Sequence, residues 1–157
     1  MITSLVLLSG GLATRLYPIS QTIPKALVDI NGKPFIEYQL NLLKKQGITD
    51  IVICTGYLGE QIKEFVGDGT KFNINVTYSF DGEKLLGTGG AIKKALPFLP
   101  ETFFILYGDS YLPIDFKAVS NFFENNSKDA LMTILENNNK WDTSNVIFKD
   151  NTIVKYD

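Results

Sequence analysis

Residues able to hold a polyanion cluster near the start of the chain. The stretch Leu5 to Leu27, LVLLSGGLATRLYPISQTIPKAL, opens as an apolar run, breaks at Gly10-Gly11, and then sets Thr14, Arg15 and Lys25 in a polar segment punctuated by prolines. Glycines let the main chain approach a phosphate closely, and their N–H groups can converge on its oxygens. The two cations neutralise what the amides do not reach. Neither G-x-x-x-x-G-K-[ST] nor G-x-G-x-x-G occurs in this stretch. Taken alone, Gly10-Gly11 reads equally well as a plain strand-to-loop turn.

A second candidate is Asp109, which follows the apolar run 103–107 and Gly108. It is either a turn aspartate bonding its own backbone or a carboxylate for Mg²⁺, a hard cation that takes few protein ligands and leaves positions for water and phosphate oxygens. A third is Leu86-Gly87-Thr88-Gly89-Gly90, which by itself is no more than a flexible helix start. None of the 157 residues is histidine. Ser-His-Asp hydrolysis, His-ligated zinc and imidazole acid–base chemistry are therefore excluded within this sequence. Carboxylates, cations, amides and a metal ion are left.

The elements that must position these groups follow from periodicity. Residues 3 to 8 read as a strand and Pro34 to Gly47 as a helix, with Pro34 at its first position, Ile36, Leu40 and Leu43 at helical spacing, and Gly47 as its cap. Asp50 to Cys54 is a second strand, and Leu58, Ile62 and Phe65 stripe a second helix. Asp68-Gly69 makes a turn, and Ile74, Val76 and Tyr78 alternate as a third strand. A loop at Asp81-Gly82 leads to a helix for which Thr88 is the expected N-cap. Phe103 to Tyr107 is a fourth strand, Asp115 caps a helix burying Phe116, Val119, Phe122 and Phe123, and Ala130 to Leu135 is a fifth strand. Val146 to Tyr156 forms a hairpin turning at Asp150-Asn151. Tyr57, Trp141 and the Phe103-Phe104 and Phe122-Phe123 pairs read as packing residues.

Strands alternating with helices imply an α/β fold, a Rossmann-like doubly wound three-layer sandwich with a mostly parallel central sheet. Ligands bind beyond the carboxyl ends of such strands, and the polar glycine loops after the first, third and fourth strands fall on that one edge. The length fits a single domain, 1–157, and 45% hydrophobic content is enough for a core. A net charge of -2 with mixed signs argues against a nucleic-acid surface. The single cysteine, Cys54, lies in an apolar run and reads as a packed thiol. No run approaches the ~18 apolar residues of a membrane span and no basic leader precedes an apolar segment, so a cytoplasmic protein is expected.

The string G-G-x-x-T-R-L at Gly10 to Leu16, followed by Pro24-Lys25-Ala26-Leu27, resembles the opening signature of the sugar nucleotidyltransferases. The similarity runs along essentially the whole chain. Gly32 to Tyr38, Gly56-Tyr57 with Glu60 and Ile62, Val66 to Gly69, and Leu86 to Ile92 resemble the branch of heptose 1-phosphate guanylyltransferases, muramic-acid 1-phosphate uridylyltransferases and mannose 1-phosphate guanylyltransferases. That resemblance implies transfer of a nucleoside monophosphate from an NTP to a sugar 1-phosphate, with Mg²⁺, in nucleotide-sugar supply for cell-surface polysaccharide. It implies that Leu8, Ser9, Gly10, Gly11, Ala13 and Thr14, with Gly87 and Thr88, hold the nucleotide. Arg15 and Lys25 would carry catalysis and Asp109 the metal. Tyr107, Asn145 and Asp157 would lie toward the sugar phosphate.

Departures from the family pattern are Ala13 for glycine, Ala26 for proline and Tyr107 for asparagine. Family members continue beyond this point with a further lysine, sugar-binding segments and a second metal aspartate, so the resemblance implies a C-terminally incomplete chain. A nucleotide or nucleotide-sugar binding or regulatory module without turnover is the alternative function. Base, sugar and oligomeric state are left open.

Overall fold

The computed structural model describes residues 1–138, 140, 143–150 and 152–156, and the chain divides into two compact units, 1–122 and 123–157. In the first unit the elements run β1 (Ser4–Ser9), β2 (Asp29–Ile30), β3 (Lys33–Pro34), α1 (Phe35–Lys45), β4 (Asp50–Thr55), α2 (Gly59–Val66), β5 (Asn75–Phe80), α3 (Gly87–Ala95), β6 (Phe104–Tyr107) and the start of α4 (Phe116–Glu124). The main sheet has the order β5-β4-β1-β6 with every pairing parallel. Leu5 stands opposite Ile51 on one side and Phe104 on the other, which makes β1 a central strand.

The apolar runs are continuous because both faces of the sheet are covered. Leu5, Leu7, Ile51 and Ile53 pack with Ile36, Leu40 and Leu43 of α1, Ile62 and Val66 of α2, and Phe116 of α4. Alternate residues Val6, Val52 and Cys54 pack on the opposite face with Ala91 and Ala95 of α3. The result is three layers, as the alternation of strands and helices requires. Helix α1 starts one residue after Pro34, and Gly47 lies just past its end at φ +83, a left-handed conformation that glycine adopts without steric cost. Asp115 caps α4 by accepting the Ala118 N–H at 2.9 Å. No helix among the described residues is long and apolar enough to cross a membrane.

Three expectations are corrected. Thr88 is not an N-cap: α3 begins at Gly87 with Leu86 preceding it, because Gly87 takes φ +69 and Asp81 Oδ2 accepts the Leu86 N–H at 3.1 Å. Phe122 is 59% exposed, since α4 buries the Phe116 and Ser120 positions and the stripe does not turn far enough to take in Phe122. Residues 130–135 form no strand. Among the described residues no neighbouring strand pairs with them, and Leu131, Met132, Ile134 and Leu135 are exposed, so apolarity alone does not supply a ladder. Within the second unit β7 (Val146–Lys149) and β8 (Thr152–Tyr156) form the expected antiparallel hairpin, with Asp150 at φ 49 in its turn.

Candidate functional site

In the sheet order, the chain leaves β1 for β4 on one side and β6 lies on the other, so the strand order reverses beside β1. Loops leaving the carboxyl ends there diverge to opposite faces and open a crevice. A cavity of about 810 Å³ occupies it, lined by the loop after β1, the end of β4, the loop after β5, the first turn of α3 and the turn after β6.

The first wall is the segment 8–16. Beyond Gly11 the backbone turns through Ala13, whose φ of 50 and ψ of 43 are left-handed, into a short 3₁₀ turn at Thr14–Leu16 that carries Arg15. Such a conformation disfavours any residue but glycine. It is held by contacts at the Ala13 carbonyl, which accepts the buried Ser20 hydroxyl at 2.8 Å and the Leu16 N–H at 2.9 Å. Farther along, the Tyr57 hydroxyl donates to the Gln21 carbonyl at 2.8 Å and the Gln61 amide to that of Thr22 at 3.0 Å, tying the segment to the start of α2. Tyr57, read from sequence as a packing residue, thus holds the loop in place by its polar end.

Lys25 stands on another 3₁₀ turn, Lys25–Leu27, anchored by buried Ala26. Its Nζ lies 2.8 Å from Asp109 Oδ2. Asp109 is on the turn after β6, where Gly108 N–H donates to the Leu8 carbonyl at 2.8 Å and Ser110 N–H to that of Tyr107 at 3.0 Å. Gly108 is required by close approach: a Cβ there would stand 2.2 Å from Ser9 Oγ and 2.7 Å from the Leu8 carbonyl oxygen.

The third wall centres on Asp81. The sequence places the Asp81-Gly82 loop on the ligand edge without giving Asp81 a role, and in the structure the Asp81 carboxylate lines the cavity, accepts the Leu86 N–H and would lie 3.3 Å from a Cβ placed on Gly10. It stands beside the loop after β1 and bonds the residue that precedes α3. Cys54 is buried at the cavity floor, donates to the Ala91 carbonyl at 3.7 Å, and has its thiol pKa pushed up to about 11 by burial and then by the Asp81 charge. It is an inert wall at neutral pH.

The cavity therefore gathers Leu8, Ser9, Gly10, Gly11, Ala13, Thr14, Arg15, Lys25, Gly87, Thr88, Tyr107 and Asp109. Asn145 lies in the second unit, exposed and immediately before β7, and is not among the lining residues. Asp157 lies outside the described residues, as does Trp141. A spread of one guanidinium, one ammonium and two carboxylates around a glycine-lined cleft suits a polyphosphate accompanied by a divalent ion. Among the described residues no three His, Cys, Asp or Glu side chains come together as a metal cage. Asp109 alone still fits Mg²⁺, which is commonly held through one or two carboxylates with phosphate and water completing the octahedron.

A family model described as Nucleotidyl transferase matches residues 4–149. The chain is 44% identical to the D-glycero-alpha-D-manno-heptose 1-phosphate guanylyltransferase of Campylobacter jejuni over 110 residues, covering 70% of this chain and 49% of that protein. It is 40% identical to the N-acetylmuramate alpha-1-phosphate uridylyltransferase of Neisseria meningitidis over 114 residues, covering 72% and 49%. In three dimensions it is similar to the crystal structure of HddC from Yersinia pseudotuberculosis complexed with GMP-PN, with TM-score 0.69, 36% identity, and coverage of 79% of this chain and 55% of that one. The chain thus spans about half the length of the relatives it matches.

Proposed function

Since the chain belongs to the nucleotidyl transferase family, we propose that it forms the nucleotide-binding part of an enzyme joining an NTP to a sugar 1-phosphate, with release of pyrophosphate. The observation that carries this reading is the Lys25–Asp109 pair at 2.8 Å, set in a cavity that the Gly10–Arg15 loop also lines. In the proposed reaction an oxygen of the sugar 1-phosphate attacks the α-phosphorus of the NTP. A new P–O bond forms and the bond to the β-phosphate oxygen breaks. That nucleophile is already an anion at neutral pH, so no general base is needed, consistent with a sequence lacking histidine. What the protein must supply is alignment of two anions that repel each other, and stabilisation of charge on the departing pyrophosphate.

In this reading residues 8–14 hold the triphosphate and nucleoside together with Gly87 and Thr88. Arg15 faces the pyrophosphate side, Lys25 draws the sugar phosphate toward the α-phosphate, and Tyr107 borders the acceptor. Asp109 would hold Mg²⁺, whose charge offsets that of the phosphates. The Lys25 ammonium occupies one Asp109 oxygen before substrates arrive, and because both groups are about half exposed, exchanging that contact for phosphate and metal costs little.

The test is pyrophosphate release with Mg²⁺, GTP or UTP, and a panel of hexose and heptose 1-phosphates. Turnover with one pairing is expected, and Arg15→Ala and Asp109→Asn should each lower it on the order of 10²-fold or more without changing the melting temperature. Near-normal rates in both variants would overturn the assignment. NTP binding with no turnover on any acceptor would reduce the function to nucleotide binding.

A further inference from the structure

The buried face of α1 is formed by Ile36, Gln39, Leu40 and Leu43. Three of these are aliphatic members of the main core, and Gln39 is not, although it is only 1% exposed. Its Nε2 donates to the Ser110 carbonyl at 2.8 Å and, more weakly, to the Tyr107 carbonyl at 3.5 Å. These two acceptors decide which end of the amide carries the hydrogens. Its Oε1 is enclosed without a hydrogen-bond partner among the described residues. A buried amide that leaves its acceptor unmet costs free energy, so packing alone would favour an aliphatic residue here.

The return lies at the other end of the contact. Tyr107 and Ser110 are the first and last residues of the turn that carries Asp109, and the Ser110 N–H closes that turn on the Tyr107 carbonyl. With Gly108 N–H fixed to the Leu8 carbonyl and the amide of Gln39 seated across both turn carbonyls, the 107–108 and 110–111 peptide units that bracket the turn are held, while Ser110 N–H ties the 109–110 unit to Tyr107. Release of these two ends would let the turn shift and carry the carboxylate away from Lys25.

We infer that Gln39 is a positioning residue, which aims the Asp109 carboxylate into the cavity by clamping the 107–110 turn and so sets the affinity for the divalent cation. This rests on the reading of Asp109 as the metal ligand. A merely structural amide would affect melting and leave cation affinity alone.

The experiment measures Mn²⁺ binding by electron paramagnetic resonance in the presence of GTP and, separately, of UTP, together with melting temperature. It uses the wild-type chain, Gln39→Met, Gln39→Leu and Asp109→Asn. Both Gln39 variants fill the site without a donor. They are expected to melt within a few degrees of wild type while binding Mn²⁺ about 10- to 100-fold more weakly, the range seen when groups that orient a metal ligand are removed. Asp109→Asn should lose binding further. Wild-type Mn²⁺ affinity in either folded Gln39 variant would overturn the inference, as would failure of both variants to fold, which would assign the amide to the core. If Asp109→Asn itself binds Mn²⁺ normally, or the wild type binds none, the reading of Asp109 fails and takes the inference with it. Loss in Asp109→Asn with unaffected Gln39 variants would sink the inference alone.

Discussion

Lys25 and Asp109 are 43% and 48% exposed, so their ion pair contributes only about 0–1 kcal/mol to stability despite its short 2.8 Å separation. Lys25→Ala should accordingly melt within about 4 °C of wild type, at roughly 2–4 °C per kcal/mol for a chain this size. Its affinity for whichever of GTP and UTP the chain binds, read by calorimetry, should fall about tenfold or more as a charged contact is lost. Ala13 presents the opposite case. Its left-handed backbone strains any residue with a Cβ, by roughly 1–2 kcal/mol, partly offset by the extra freedom a glycine has when unfolded. Ala13→Gly is therefore expected to raise the melting temperature slightly, and a clear fall would mean the loop is not held left-handed. That Arg15, Lys25 and Asp109 line one cavity was legible in the sequence, because the first two lie in the polar, proline-punctuated segment after Gly10-Gly11 and the third follows an apolar run and a glycine. The contacts of Gln39 and Asp81 were not, since periodicity counts apolar positions and an Asp-Gly pair reads as a loop whatever its carboxylate touches.

Element by element, β1, β4 and β6 were readable because continuous apolar runs bounded by glycine or polar loops leave few alternatives when both sheet faces are covered, and β5 because Ile74, Val76 and Tyr78 alternate with polar residues. The stretch 130–135 has the same composition and forms no strand, because a strand exists only where another supplies its ladder. The start of α3 was misplaced for a different reason: the positive φ of Gly87 and the Asp81 contact to Leu86 N–H set the boundary, and a side-chain cap at Thr88 had no part in it. Close approach between the ends of β1 and β6 yields a sharp contrast at this scale. A methyl on Gly108 meets backbone at 2.7 Å as well as Ser9 Oγ, whereas one on Gly11 meets nothing within 4 Å. Gly108→Ala should lose about 1–3 kcal/mol by overpacking, and Gly11→Ala should stay within about 0.5 kcal/mol, both read by urea denaturation. Equal losses would mean that the two strand ends are not in contact.

Across the whole molecule, titration adds a constraint on stability. Burial raises the Cys54 thiol from an ordinary 9.0 to about 11 and the Tyr78 hydroxyl from 10.0 to about 12. Both groups release their protons earlier when unfolded, so the unfolded state binds fewer protons in this range and stability falls as pH rises from about 9 toward 12. Cys54→Ala should flatten the first part of that decline, measured as melting temperature from pH 8 to 11. An unchanged slope would mean that the thiol is not shielded as the fold requires. The crevice itself exists only because the strand order reverses at β1, which brings the 8–16 loop, Lys25 and the 107–110 turn to one rim from distant parts of the chain. The most direct measurement of that convergence is calorimetric titration of the chain with GTP and with UTP, each with and without Mg²⁺, repeated on Arg15→Ala and Asp109→Asn. A shared triphosphate site predicts saturable binding of one nucleotide that is strengthened by Mg²⁺ and weakened in both variants, with the Mg²⁺ effect lost in Asp109→Asn. Binding that is indifferent to both substitutions, or no binding of either nucleotide, would contradict it.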